Sequence, residues 1–362
     1  MKVLFIHSTA LEPTNGENIR GNYLLSKLSN MHDIDLVTPE CSKKYPHVKK
    51  FQIGRVERFG KNKEIKYALF GIKSLFLKGL RKKYDIVYCF GIAGIMLAKR
   101  YAGKSRLICD FYEVDFPELR KTKNPIVRLM LNIAKLYQRK ILKKADYVIL
   151  LTKKMENYAR TLTNAKTLTV YDAADIKMFN ENVKEKHKGF TVLFHGGIEK
   201  RDNVIIMLKA VEQVKEKIHI VIAGKGSALE ELKHYAKIKN MDVQFTGWVD
   251  YEKIPGYLAK ADLAVLPCTK EPLNEFVIPR KAYEYMNCGI PMIITEIEAA
   301  KELFTEKDVY YIQDPSAENV KDKLEECLKN RNSQLEKSRR LTEKSKKINL
   351  QKECRKILSL FS

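Results

Sequence analysis

The residues best suited to chemistry lie in the second half of the chain, in loops that follow short apolar runs. After Phe194-His195 come Gly196 and Gly197, then Lys200 and Arg201, then an amphipathic stretch from about Val204. Glycines let backbone amides approach a phosphate, a helix start favours anions, and two cations add charge-assisted hydrogen bonds. Read more plainly, the same residues are a turn with surface charges. After Ile220-Val221-Ile222-Ala223 comes a second such loop, Gly224-Lys225-Gly226-Ser227, again opening a helix. A single G-x-G is equally a tight turn, but two glycine loops in successive units point to a nucleotide diphosphate.

A third loop follows Leu263-Ala264-Val265-Leu266-Pro267 and runs on to Pro279-Arg280-Lys281-Ala282-Tyr283-Glu284-Tyr285-Met286-Asn287-Cys288-Gly289-Ile290-Pro291. The ordered set from Val221 to Thr295 comprises a G-x-G turn, Phe245-Thr246-Gly247-Trp248-Val249, Ala261-Asp262-Leu263 and P-x-K-x-x-E-Y-M-x-x-G-x-P. It resembles the donor-binding half of the family 4 retaining glycosyltransferases, which have the two-domain GT-B fold. The resemblance implies that Glu284 accepts hydrogen bonds from ribose hydroxyls, a task suited to a carboxylate with two acceptor oxygens. It places Trp248 and Val249 beside the nucleobase. Lys281, at i,i+3 from Glu284, shares its helix face and would reach a phosphate.

In the first half, Leu11 to Arg20, containing Gly16, is similar to the family's glycine loop over sugar and diphosphate. Asp110 to Glu118, with Asp110 and Glu113, resembles the segment facing the acceptor. Lys143 to Thr152 and Val170 to Phe179 also follow the pattern. Three departures touch the chemistry. The family's paired glutamates stand eight positions apart, and Phe276 occupies the first of these places, so Glu275 or Asn274 would stand in. The usual arginine of the first phosphate loop falls near Gly197, leaving its role to Arg201. Asp172 and Ala173 replace Asn and Gly of the interdomain loop.

The mechanism implied is retaining transfer, with charge gathering on the leaving diphosphate, so positioned cations carry most weight; Lys200 and Arg201 are assigned that task. The leaving phosphate would take the acceptor's proton, which accounts for the lack of an obvious acid/base dyad. No D-x-D pair has a metal-binding context: Asp33 and Asp35 flank a strand, and Asp172 to Asp175 lies in the linker. Metal-independent activity with no bound cofactor is therefore expected, the nucleotide-diphosphate sugar being a co-substrate.

Apolar β-branched runs alternate with helical patterns along the whole chain, the signature of parallel sheets wrapped in helices, and these elements hold the loops. Strands are expected at Val3 to His7, Asp35 to Val37, Ile86 to Phe90, Leu107 to Asp110, Tyr147 to Leu151 and Thr167 to Tyr171. A second series is expected at Thr191 to His195, Ile218 to Ala223, Val243 to Thr246, Leu263 to Leu266, Met292 to Thr295 and Val309 to Ile312. With 362 residues, two cores are expected. The reading is α/β, GT-B: a Rossmann-like acceptor domain over 1–174 and a Rossmann-like donor domain over 175–345, facing across a cleft. A closing helix over 346–362 would pack back toward the first domain, with Leu350, Cys354, Ile357 and Leu358 on one stripe.

Net charge is +23, and residues 1 to 175 hold 34 Lys and Arg against 16 Asp and Glu, a surplus of +18. The first half is thus drawn to anionic surroundings. Residues Lys61 to Lys83 place Ile65, Leu69, Ile72, Phe76 and Leu80 on one helical stripe amid cations, suited either to packing on the sheet or, with Leu75 and Leu77 outward, to an anionic membrane. The expected acceptor is lipid-linked or a nascent polysaccharide. No leader or spanning segment is read, and the seven cysteines (Cys41, Cys89, Cys109, Cys268, Cys288, Cys327, Cys354) are scattered singly. That spacing predicts free thiols, no zinc site, and a cytoplasmic protein, peripheral at the inner face of the cell membrane.

Two other classes fit parts of the pattern. A GT-B epimerase would share the donor pocket but react without an acceptor. A basic binding protein for membrane or nucleic acid would share the charge; no aromatic residues interleave with the cations as a nucleic-acid reader requires, so no nucleic-acid partner is expected.

Overall fold

A computed structural model of the chain describes residues 1–11, 18–54, 70–81, 83–91, 94–101, 103–111, 125–183, 185 and 189–362. Their contacts divide them into two units, Met1–Tyr171 with Cys354–Ser362, and Asp172–Glu353. Each is built on one parallel sheet.

The first unit's strands are β1 (Lys2–His7), β2 (Asp33–Thr38), β3 (Val48–Gln52), β4 (Ile86–Phe90), β5 (Arg106–Phe111), β6 (Tyr147–Leu150) and β7 (Lys166–Thr169). Their order is β3-β2-β1-β4-β5-β6-β7, every pairing parallel. All five residues of Ile86–Phe90 are buried, as a strand covered on both faces requires, so it reads as a continuous apolar run rather than an alternating one. Six strands are expected from the sequence and seven form among the described residues. The additional one, Val48–Gln52, carries Lys49 and Lys50 and lies at the sheet edge. Lysines on an edge strand discourage pairing with other chains and also hide the strand from an apolar search.

The basic segment from Lys61 falls largely outside the described residues. In the part that is described, residues 70–75 are helical, with Phe70 and Ser74 buried while Ile72 and Phe76 are exposed. The inward stripe is therefore phased on Phe70 and Ser74, and the expected stripe members Ile72 and Phe76 face out. Packing of a bulky aromatic sets the phase where either face is apolar enough to be buried.

The second unit's strands are β8 (Phe190–Gly197), β9 (Ile218–Lys225), β10 (Val243–Gly247), β11 (Leu263–Leu266), β12 (Met292–Thr295) and β13 (Tyr310–Ile312), in the order β10-β9-β8-β11-β12-β13. All pairings are again parallel. All six match expected segments. Strand order reverses between β8 and β11, the switch point at whose carboxyl edge such sheets leave a crevice. The helix Arg280–Asn287 follows β11 and buries Ala282 through Asn287. Gly289 ends it at φ +61, and a Cβ there would lie 2.6 Å from Thr342 Cγ2. Ser338 of the helix Arg331–Lys347 donates to the Gly289 carbonyl at 2.6 Å, so the long helix packs directly on this turn.

The final helix, Leu350–Leu358, buries Leu350, Cys354 and Ile357; Leu358 is half-buried. Its last residues belong to the first unit, where Arg106 Nη1 donates to the Leu360 carbonyl at 2.9 Å and Phe361 tilts against Tyr88. All seven cysteines are buried thiols and none is in a disulfide. Among the described residues no helix is long and apolar enough to cross a membrane.

Candidate active site

Strand β8 runs on beyond its apolar part, so that Gly196 pairs with Gly224 and Gly197 with Lys225 of β9. The two glycine loops are one structure. A Cβ at Gly224 would lie 1.9 Å from the Gly196 carbonyl oxygen, and one at Gly226 would lie 2.2 Å from that of Ile198. Close backbone packing by itself therefore demands glycine at both positions of the G-x-G.

Past Gly197 the chain makes a short turn, Lys200–Asp202. Lys200 and Arg201 are exposed, and among the described residues neither side chain has a hydrogen-bonding or ion-pair partner. The turn itself is held firmly: Asp202 accepts from the Glu199 backbone N–H at 3.1 Å, and the Arg201 carbonyl accepts from the Thr269 N–H at 2.9 Å. The latter bond ties the loop after β8 to the loop after β11 across the switch point. Two cations on a braced turn are thus directed to solvent at the place where this sheet type receives anions.

The helix Arg280–Asn287 supplies the floor. Lys281 is largely buried, with Nζ 3.1 Å from Asp202 Oδ1 and 4.0 Å above the Phe194 ring; its chain passes beside Gly196. One turn on, Glu284 is 2% exposed. Its Oε2 lies 2.5 Å from His195 Nε2, and its Oε1 accepts from the Tyr251 hydroxyl at 2.7 Å. His195 Nδ1 lies 2.9 Å from the Tyr285 hydroxyl, which accepts from the His195 backbone N–H at 3.2 Å. One assignment satisfies every group: Nε2–H donates to Glu284 and Nδ1 accepts from Tyr285. Burial opposes the charge of Glu284, but the His195 hydrogen bond, the nearby Arg280 charge and the Tyr251 hydrogen bond prevail, holding its pKa below the ordinary glutamate value. Burial and the Glu284 carboxylate push the Tyr251 hydroxyl well above the usual tyrosine pKa, so it remains a donor. Arg280, at the helix start, is clamped by Asp172, Nε donating to Oδ2 at 3.0 Å and Nη2 to Oδ1. The acid that replaces the usual Asn in this loop thus has a partner of opposite charge.

The remaining expected residues are placed as follows. Trp248 is 51% exposed, with Lys225 Nζ 4.5 Å from its ring centroid; Val249 is half-buried beside it. Glu275 and Phe276 lie in the short turn Asn274–Phe276, where Glu275 accepts from the Glu298 backbone N–H at 2.8 Å and so caps the helix Glu298–Lys301. In the first unit, Asp110 is the penultimate residue of β5 and is 1% exposed. Arg20 Nη1 donates to its two oxygens at 2.9 and 3.2 Å, and the Tyr88 hydroxyl donates to Oδ2. Arg20 Nη2 also donates to the Val170 carbonyl at 2.7 Å. Gly16 and Glu113 lie outside the described residues.

Gly196, Gly197, Lys200, Arg201, Lys281 and Glu284 are therefore brought together at the carboxyl end of β8. Sequence reasoning missed His195, Tyr251 and Asp202. His195 carried a usable signal, a polar residue ending an apolar strand just before the glycines; Tyr251 and Asp202 carried none, because their partners are about 33 and 79 residues away. No group of three or more His, Cys, Asp or Glu side chains arranged to hold a metal occurs among the described residues.

Residues 175–348 match the family model described as glycosyl transferases group 1. The chain is 27% identical over 206 residues to an uncharacterized glycosyltransferase of Methanocaldococcus jannaschii, covering 53% of this chain and 52% of that protein. It is 24% identical over 259 residues to the O-antigen biosynthesis glycosyltransferase WclY of Escherichia coli, covering 67% and 70%. The chain spans about half the length of the Methanocaldococcus relative and of other curated relatives that it matches. Its fold is that of HepE of Anabaena, solved in complex with UDP-glucose, with a TM-score of 0.73 at 15% identity over 100% of this chain and 99% of that one.

Proposed function

We propose, from the match of residues 175–348 to the family model described as glycosyl transferases group 1, that this chain is a retaining, metal-independent glycosyltransferase using a nucleotide-diphosphate sugar. The observation that carries this reading is the pair Lys200 and Arg201, exposed on a turn whose backbone is bonded to the loop after β11. Charge that develops on a leaving diphosphate would meet two cations whose supporting backbone is already organised, and such preorganisation is what lowers a barrier. The sugar C1–O bond to the diphosphate breaks, and a new bond from C1 to the acceptor oxygen forms on the same face. The acceptor's proton passes to the departing phosphate oxygen, so no protein base is required. Lys281 stands beside Gly196, under the same turn, and the exposed ring of Trp248 offers a face on which a base would stack.

The acceptor in this reading is a lipid-linked or nascent surface glycan, approached from an anionic cytoplasmic membrane face. The name of the WclY relative supports it, and so does the helix Pro125–Leu142. Leu129, Ile133 and Leu136 are exposed on it at 61%, 48% and 60%, at spacings that place them along one face. The helix contains Arg128, Lys135, Arg139 and Lys140 and no acidic residue. An apolar stripe among cations suits the headgroup boundary of an anionic bilayer.

A thermal-shift series with nucleoside diphosphates and their sugars, with and without EDTA, tests the donor site. A ligand at 100 times its Kd stabilises the fold by about 2.7 kcal/mol. The expected result is a raised Tm with one nucleotide sugar, retained in EDTA and lost in Lys200→Ala/Arg201→Ala. A shift that vanishes in EDTA would remove metal independence, and no shift with any nucleotide would remove the donor site.

A further inference from the structure

The two oxygens of Glu284 are held by partners of very different standing. His195, on Oε2, is buried and fixed at three points: by Glu284, by the Tyr285 hydroxyl on Nδ1, and by its own backbone N–H to that same hydroxyl. The Tyr285 ring packs edge-on against it, with centroids 5.0 Å apart. Tyr251, on Oε1, opens a three-residue turn, Tyr251–Lys253. The loop leading to it starts at Gly247, with φ +69, and carries the exposed side chains of Trp248 and Asp250. Tyr251 itself rests edge-on against Phe179, centroids 5.2 Å apart. Of the two donors, only Tyr251 belongs to a loop that reaches the surface.

We propose that the Tyr251 hydroxyl occupies, in the ligand-free protein, the place of a ribose hydroxyl of the nucleoside diphosphate, and that the ligand takes Glu284 Oε1 over from it. This rests on the nucleotide-sugar reading given above. A phenol and a sugar hydroxyl are the same kind of donor, a neutral O–H, so the exchange leaves the buried carboxylate with two hydrogen bonds throughout. Without such a placeholder, the empty site would leave a buried carboxylate oxygen unsatisfied, which is costly. The exchange also links two parts of the site: release of Tyr251 frees the loop that presents Trp248 to the base. Tyr251 is thus a positioning residue, and Glu284 is the group that reads the ribose.

The test is calorimetric, with the nucleoside diphosphate that stabilises the wild type among UDP, GDP and ADP, and with its 2′,3′-dideoxy counterpart. Tyr251→Phe removes the competing hydroxyl, so the ribonucleotide is expected to bind about 3- to 10-fold more tightly, while the dideoxy compound gains nothing. Glu284→Gln, a second variant in case the first folds poorly, is expected to reduce the discrimination between the two ligands. If Tyr251→Phe weakens both ligands by the same factor, Tyr251 is only a brace and the proposal is overturned. If wild type and Glu284→Gln discriminate equally, Glu284 does not read the ribose and the proposal also falls, with the donor site intact. If no nucleoside diphosphate binds the wild type at all, the donor site itself is wrong and the inference goes with it.

Discussion

Among single side chains, Asp110 and Lys200 stand at opposite extremes. Asp110 is buried between Arg20 and Tyr88, and removing one charge of such a pair strands the other. Asp110→Asn is therefore expected to cost about 3–5 kcal/mol of unfolding free energy, read from urea denaturation. Lys200 and Arg201 are exposed on their turn, and surface changes away from packed features rarely exceed about 0.5 kcal/mol. Lys200→Ala/Arg201→Ala is expected to leave the urea midpoint almost unchanged while lowering kcat about 10²- to 10³-fold. An equal fall in kcat for Asp110→Asn with full stability would instead make Asp110 a catalytic group. Both residues are conspicuous in the sequence; burial is what separates a lock from a reactive charge, and burial depends on partners 90 residues away.

At the scale of elements, the glycine loops after β8 and β9 are the informative case. Their spacing is visible in the sequence, but its reason there is an anion, whereas the structure supplies a second reason in the pairing of Gly196 with Gly224. Gly224→Ala would drive a methyl to within 1.9 Å of the Gly196 carbonyl oxygen, at a backbone φ of +155. Backbone cannot yield as a flexible side chain can, so a loss of more than about 2 kcal/mol is expected, with a lowered Tm before any ligand is added. Gly197→Ala, which meets nothing within 4 Å, is the control and is expected to leave Tm nearly unchanged. A harmless Gly224→Ala would show that the two loops are not packed as described. The edge strand Val48–Gln52 shows the complementary failure: its lysines give no apolar signal, and only pairing with β2 makes it a strand.

For the whole molecule, charge and acid response are the collective properties. Residues 1–175 hold a surplus of +18, and the helix Pro125–Leu142 exposes its apolar stripe among cations. Co-sedimentation with phosphatidylglycerol vesicles is expected to be strong at low salt and weak at about 0.5 M, where screening is short-ranged. It is expected to fall further in Leu129→Ser/Ile133→Ser/Leu136→Ser; unchanged binding in that variant would place the membrane contact elsewhere. His7, fully buried at the end of β1, is pushed by burial down to about 4, against a hydrogen bond to the Thr9 carbonyl. Well above pH 6.5 it is neutral whether the chain is folded or not. As pH falls from 6.5 to about 4, the unfolded chain takes a proton that the folded one refuses, and about 3 kcal/mol of stability is lost. Urea titrations should show this slope in the wild type and a flatter one in His7→Gln. From about pH 4.5 downward Glu156 adds to the loss: burial raises its pKa, but hydrogen bonds from Thr169, Lys153 and Thr167 outweigh burial and hold it at about 2, so the unfolded chain is protonated there first.

Features that depend on neighbours along the chain are legible in the order of residues alone. Twelve strand positions follow from apolar runs, and the same-face placement of Lys281 and Glu284 follows from helical spacing. The alternation of strand and helix made the architecture α/β, because a parallel strand needs a crossover before the next. The order of the strands, and with it the switch point between β8 and β11, is set by packing between distant elements. The same packing sets which polar residues bond to one another away from the chain's local order, Arg20 with Asp110, Arg280 with Asp172, and Glu284 with His195 and Tyr251. The reason is physical: periodicity encodes which face of an element is apolar, whereas a hydrogen bond between distant side chains depends on where two separate elements come to rest.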